Sequence, residues 1–147
     1  MSYPPGSFTL KIALRWADID ANFHLRHSVY YDLGSQQRIT MLGTMGASMS
    51  DMRKHGYGPV LFREECRFFK EVKLEDVLEV SVTLRGLSED HRKFGFRHAF
   101  TRNGEHCATL EVDGAWFNSH TRKLFAPPQQ VMDAMNGFPR SADFAWI

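Results

Sequence analysis

The seventeen residues from Arg15 to Tyr31, RWADIDANFHLRHSVYY, bring together two aspartates, two histidines, two arginines and two tyrosines. They fall between the end of a strand pattern and the start of a helix pattern, which suits chemistry on an acyl group. A helix N-terminus offers unpaired N–H groups and the positive end of the backbone dipole, able to polarise a carbonyl as charge builds on its oxygen. A carboxylate a few residues upstream can fold back beside it as nucleophile or general base. Asp18 and Asp20 have the right type and position for that role. Aspartates before helices also serve as plain loop caps, and spacing alone does not separate the two uses. The pair His24-x-x-His27 lacks the two further ligands a metal would need, so no metal is expected.

The elements that must position this cluster follow from periodicity. Phe8 to Trp16 alternates, with Phe8, Leu10, Ile12, Leu14 and Trp16 on one face, as a half-buried strand does. From about Ser28 an apolar, weakly charged stretch has no proline before Pro59, which permits one long helix. Asp32 and Arg38 are nearly its only ionised residues before Asp51, so protein should surround most of it. Gly34, Gly43 and Gly46 within it each cost about 1 kcal/mol relative to alanine, which close packing must repay. After Gly56-Tyr57-Gly58-Pro59 come antiparallel strand patterns at Val60–Val72, Val77–Leu87, Lys93–Arg102 and His106–Asn118. Asn103-Gly104 supplies the positive-φ pair of a type I′ hairpin turn. Pro127-Pro128 opens a short helix through Met135, and residues 137–147, like 1–7, read as flexible tails.

This order is α+β: about five antiparallel strands wrapped around one long helix, with a short C-terminal helix. At 147 residues with 43% hydrophobic and 24% charged residues, a single globular domain spanning 1–147 is expected. Such a sheet leaves its outer face and edges uncovered, and a 13% aromatic content is enough to build an interface there, so a homodimer or homotetramer is expected. A net charge of +1 argues against nucleic acid as partner. No apolar run approaches a membrane span, and the start MSYPPGSF lacks the regions of a signal peptide, so a cytoplasmic location is expected. Cys66 and Cys107 are too few and too far apart for a disulfide framework and read as buried, reduced thiols.

Arg15, Trp16, Asp18, Asp20, Ala21, His24 and Tyr30 fall in register on an Arg-aromatic-x-Asp-x-Asp-Ala-x-Gly-His-Val-Asn-Asn-x-x-Tyr pattern. That pattern resembles the signature of hot-dog-fold acyl-CoA thioesterases of the 4-hydroxybenzoyl-CoA thioesterase type. Phe68-Phe69 followed by Leu74-Glu75-Asp76-Val77-Leu78-Glu79-Val80 is similar to a second segment of that family. The resemblance extends in layout over roughly residues 8 to 126. It implies a hot-dog fold, an acyl-CoA substrate, no cofactor and a site built at a subunit interface. It assigns catalysis to Asp20, and the thioesterases encoded with the Tol-Pal envelope genes have histidine at the position of His27. By the same analogy the backbone N–H near His27 or Ser28 polarises the carbonyl, and Tyr30 and Tyr31 pack in the core or line the acyl pocket. Coenzyme A carries phosphates, and the turn His91-Arg92-Lys93 is the best basic patch for them; Arg122-Lys123 is a weaker one. Glu64 or Glu65 can lie near the site, although ion pairs with Arg63 or Arg67 are the more economical reading.

Phe23 stands where the family has glycine, which motivates a second reading, a non-catalytic acyl-CoA or fatty-acyl binding protein. The dehydratase and hydratase motifs of other hot-dog enzymes are not found.

Overall fold

A computed structural model describes residues 8–147. Five strands form the main sheet: β1 (Thr9–Ala13), β2 (Tyr57–Phe68), β3 (Val77–Leu87), β4 (Lys93–Arg102) and β5 (Glu105–Asn118). Their spatial order is β1-β3-β4-β5-β2, and every neighbouring pair is antiparallel. Alternation makes the strands: Leu78, Val80, Val82 and Leu84 of β3 are buried, and the residues between them are not. Asn103 and Gly104 take φ of 49° and 76° and close the expected hairpin between β4 and β5.

On the inner face of the sheet lies α1 (His27–Thr44), which buries Val29, Tyr30, Gly34, Gln37, Arg38, Met41 and Leu42. Gly34 permits the close approach, because a Cβ there would lie 2.5 Å from Leu110 Cδ2. This is the α+β hot-dog architecture, a curled antiparallel sheet around a helix.

The expected single long helix is corrected to two. Gly46 adopts φ +93° and ends α1, and the Ser48 hydroxyl then accepts from the Asp51 N–H, 3.1 Å away, to cap α2 (Met49–His55). Gly43 meets nothing within 4 Å, so of the three glycines only Gly34 packs closely. One flank of α1, with Asp32, Ser35 and Gln36, is exposed to solvent, so this chain covers the helix on one side only. The first strand is shorter than its alternation suggests, since Trp16–Asp18 is a 3-10 turn with Trp16 73% exposed.

The C-terminal residues also differ from expectation. After α3 (Gln129–Gly137), which buries Val131, Ala134 and Met135, the chain does not trail off as a tail. Arg140–Trp146 forms β7, parallel to β3 along the half of that strand that β1 leaves unpaired, while β6 (Lys123–Leu124) pairs with β5. A bidentate Arg97–Asp143 pair, both contacts 2.8 Å, pins β7 to β4. Tail residues 1–7 lie outside the described residues.

The outer face of the sheet is a ladder of opposite charges and not an aromatic interface. Arg85 and Arg97 meet Glu111 at 2.9 and 3.4 Å, and Arg63 meets Asp113 at 3.0 Å. Exposed large apolar residues include Leu61, Phe62, Phe68 and Phe69 on and just beyond β2. Phe62 is the extra residue of a bulge between Leu61 and Arg63. Both cysteines are free, Cys107 buried and Cys66 only half-buried. Among the described residues no helix is long and apolar enough to cross a membrane.

Candidate active site

The two aspartates that spacing left equivalent are separated by their surroundings. Asp18 is buried and held by Arg15 three times: through Nη2 at 2.8 Å, Nε at 3.2 Å and the backbone N–H at 3.0 Å. These bonds to the guanidinium hold its pKa below the usual carboxylate range against the effect of burial. Its carbonyl accepts from the Arg26 N–H at 2.8 Å, which ties the loop to the start of α1. Asp18 is thus a structural acid.

Asp20 sits in a tight loop closed by a bridge between Ile19 and Leu25 and by its own N–H donating to the His24 carbonyl at 2.9 Å. Its Oδ1 accepts from the Asn22 and His24 amides at 2.9 and 3.3 Å, in the manner of an Asx turn. Oδ2 has no hydrogen-bond partner among the described residues. One oxygen therefore orients the carboxylate and the other stays available.

Across from it α1 begins at His27 with Arg26 as its N-cap, and no side chain caps the helix. The Val29 N–H reaches the Arg26 carbonyl at 3.0 Å, which leaves the His27 and Ser28 N–H groups without acceptors among the described residues. An uncapped helix start is a ready acceptor of negative charge. The Ser28 hydroxyl oxygen accepts from Arg26 Nε at 2.9 Å, which leaves its O–H as a further donor.

Asp20, His27 and Tyr30 line one cavity of about 300 Å³ together with His24, Phe68 and Lys70. Tyr30 forms its floor, edge-on to Phe68 and Phe100 at 5.1 and 5.0 Å, and burial raises its hydroxyl pKa. Sequence reasoning missed three residues here. Phe69 and Glu71 also line the cavity, and His24 Nε2 lies 2.9 Å from Glu71 Oε2. Lys70, the third, pairs with Glu105. The aromatic pair at 68–69 was visible as a family-like segment; nothing in the linear order said that it faces Asp20.

Other expected site residues lie elsewhere. Tyr31 packs half-buried against the core and does not line this cavity. The His91-Arg92-Lys93 turn is at the opposite end of the sheet. Lys93 pairs opposite Ala115, whereas Phe68 pairs opposite Ala108. Seven residues of β5 at about 3.3 Å each separate them by about 23 Å. His91 there bonds Asn136 at 3.0 Å, and Arg92 Nε sits 3.6 Å from Asp90. Within one chain this turn is not part of the Asp20 cavity. Glu65 is taken up by Arg63 and Arg67 at 2.5 and 2.8 Å, as the economical reading had it, and Glu64 lies 3.8 Å from Arg38. Among the described residues no group of His, Cys, Asp and Glu is arranged to hold a metal ion.

Phe23 does not narrow the cavity. It is 73% exposed and lines a neighbouring depression with Trp16, Ile19 and Lys73. Its φ of 65° is a left-handed conformation that costs a non-glycine residue about 1–2 kcal/mol. Phe23→Gly removes that strain but adds roughly 0.5–1 kcal/mol of unfolded-chain entropy. The expected net result is a gain of up to about 1 kcal/mol, read as a rise of about 2–4 °C in thermal midpoint. A fall in midpoint would mean that the exposed ring contributes more than its strain costs.

Comparison with known proteins points the same way as the loop. The model of the Thioesterase-like superfamily matches residues 14–135. A curated relative from Aquifex aeolicus (strain VF5) is 24% identical over 128 residues, 87% of this chain and 97% of its own. A Staphylococcus aureus protein solved in complex with CoA superposes with a TM-score of 0.80 at 22% identity, covering 92% of this chain and 87% of that one. A 1,4-dihydroxy-2-naphthoyl-CoA thioesterase from Synechocystis gives 0.79 at 17% identity, over 88% and 95% of the two chains.

Proposed function

Because the chain belongs to the Thioesterase-like superfamily, we propose that it hydrolyses an acyl-CoA thioester to the free acid and coenzyme A in the cavity shared by Asp20 and His27. The observation that carries this reading is the juxtaposition of a carboxylate with one unengaged oxygen and a helix start with two unengaged N–H groups. In that arrangement the thioester oxygen accepts from the His27 and Ser28 amides, which stabilise the negative charge it gains when the carbonyl is attacked.

Asp20 supplies the attack in one of two ways. As nucleophile, its Oδ2 bonds to the acyl carbon, the C–S bond breaks, and water then cleaves the mixed anhydride. As general base, it takes a proton from a water that attacks directly. Either way the thiolate leaves with the electron pair of the C–S bond and is protonated by solvent; water's oxygen ends in the product acid in the general-base route, and in the nucleophilic route when water attacks the acyl carbon of the anhydride. The imidazole of His27, on the same cavity, donates to or accepts from the attacking group. Lys70, paired with Glu105, and Lys73 line two depressions that both include His24 and are cations on this side of the molecule for the coenzyme's phosphates. No cofactor takes part. The exposed apolar residues of β2 support association of copies through that strand's open edge.

The binding-only alternative loses its motive, since Phe23 points to the neighbouring depression. The test is release of free thiol from short, medium, long and aromatic acyl-CoAs. Turnover of one class supports hydrolysis, whereas binding without thiol release across the panel would return the protein to the binding-only reading.

A further inference from the structure

A second cavity lies apart from the one beside Asp20. It lies between α1, α2 and the strands β2, β4 and β5, has a volume of about 500 Å³, and shares no lining residue with the Asp20 cavity. Its walls are mostly apolar, among them Ile39, Leu42, Met52 and Phe96, and its charged lining residues are Arg38 and Arg53, with no carboxylate.

Arg38 is 7% exposed, and its bonding is directional. An arginine can only donate, so His98 Nε2, 3.0 Å away, is the acceptor. The His98 ring is then neutral with its proton on Nδ1, which donates to Gln37 Oε1 at 2.8 Å. Gln37 Nε2 in turn donates to the Val80 and Phe8 carbonyls at 2.7 and 3.2 Å. This chain anchors one corner of the guanidinium. Glu64 forms an ion pair with it at 3.8 Å, too long for a hydrogen bond. One hydrogen bond leaves further guanidinium N–H groups of Arg38 able to donate into the cavity it lines. Burial lowers its pKa only to about 10, so it remains charged at neutral pH. A second buried donor lines the same cavity: the indole N–H of Trp116, 1% exposed, has no partner among the described residues.

We propose that this cavity binds an apolar carboxylic acid, its carboxylate accepting from Arg38 and its hydrocarbon body filling the walls. Two cations without a lining carboxylate provide the charge complementarity, and the volume is that of a small-molecule site. The proposal does not depend on hydrolysis at Asp20.

Calorimetric titration with decanoate below its micellar concentration and 1-decanol below its aqueous solubility tests it. One decanoate per chain is expected, bound at least ~10-fold more tightly than the alcohol, as a charge-assisted hydrogen bond implies. Asp20→Asn is expected to bind it equally well. Arg38→Met should reduce decanoate to the level of the alcohol. Ser35→Trp, at an exposed helix position on the cavity's lining, should block both ligands. Equal affinity for acid and alcohol, an acid preference that survives Arg38→Met, or unchanged binding in Ser35→Trp would each overturn the proposal. Loss of binding in Asp20→Asn would do the same by moving the ligand to the other cavity. Should Arg38→Met fail to fold, the acid-to-alcohol ratio in wild type and the Ser35→Trp result decide.

Discussion

Asp20→Asn is expected to lower kcat/KM for a turned-over acyl-CoA by at least ~100-fold, the usual effect of losing a general base or nucleophile. Asparagine has the same shape, and its side-chain oxygen can still accept from the Asn22 and His24 amides, which are 2.9 and 3.3 Å from Oδ1. The loop should therefore survive, and only charge and basicity at Oδ2 disappear. The fall should lie in kcat with KM little changed, because the Phe68 and Tyr30 walls and the helix start are untouched. Thiol-release kinetics at saturating substrate, with a thermal midpoint to verify the fold, measures this. A variant that retains wild-type kcat would remove Asp20 from the chemistry and leave the loop a structural cap.

The second large effect is on stability in acid. His98 is fully buried against α1, and burial, reinforced by the charge of Arg38, pulls its pKa from 6.5 down to about 3. Above pH 6.5 the imidazole is neutral in folded and unfolded chains alike, and the stability of the buried network is fully present. Between pH 6.5 and 3 the unfolded chain takes up a proton that the native state refuses, so stability falls with pH by up to about 1.4 kcal/mol per unit. At pH 5 that amounts to about 2 kcal/mol, a substantial part of the ~5–15 kcal/mol typical of a domain. Urea unfolding at pH 7 and pH 5 checks the expectation against His98→Gln. The variant should start less stable, because Arg38 and Gln37 lose a shared partner, yet lose about 2 kcal/mol less on acidification. Equal losses in both proteins would assign the acid sensitivity to the carboxylates of the outer face.

Much of the fold is legible where one physical cause acts locally. β3 and β4 begin and end where alternation says, and Asn103-Gly104 turns where positive φ is cheap. Legibility fails where the cause is distant. Arg140–Trp146 has no clear apolar alternation because it is held by an edge of β3 and by Arg97, not by a buried face. Arg38 and His98 are sixty residues apart and look like interruptions of apolar patterns until the helix is laid on the sheet. The candidate site divides in the same way. The Asp20 loop and the helix start are contiguous in sequence and could be read together. The contribution of residues 68–71, and the distance of the 91–93 turn, depend on which strand ends meet, and strand composition does not encode that.

The C-terminal strand has a consequence for how the sheet can grow. At one border the hydrogen-bonding groups belong to β2, twelve residues running one way with a single bulge. At the other border β1 and β7 cover β3 in succession, one antiparallel and one parallel to it, so the two pieces run in opposite directions. A strand arriving there would meet a reversal of polarity after five residues and could not continue its ladder. For edge-to-edge pairing the described residues are therefore monovalent: two copies that join through β2 leave among them no equivalent border to recruit a third, and propagation into a fibre stops at the first step.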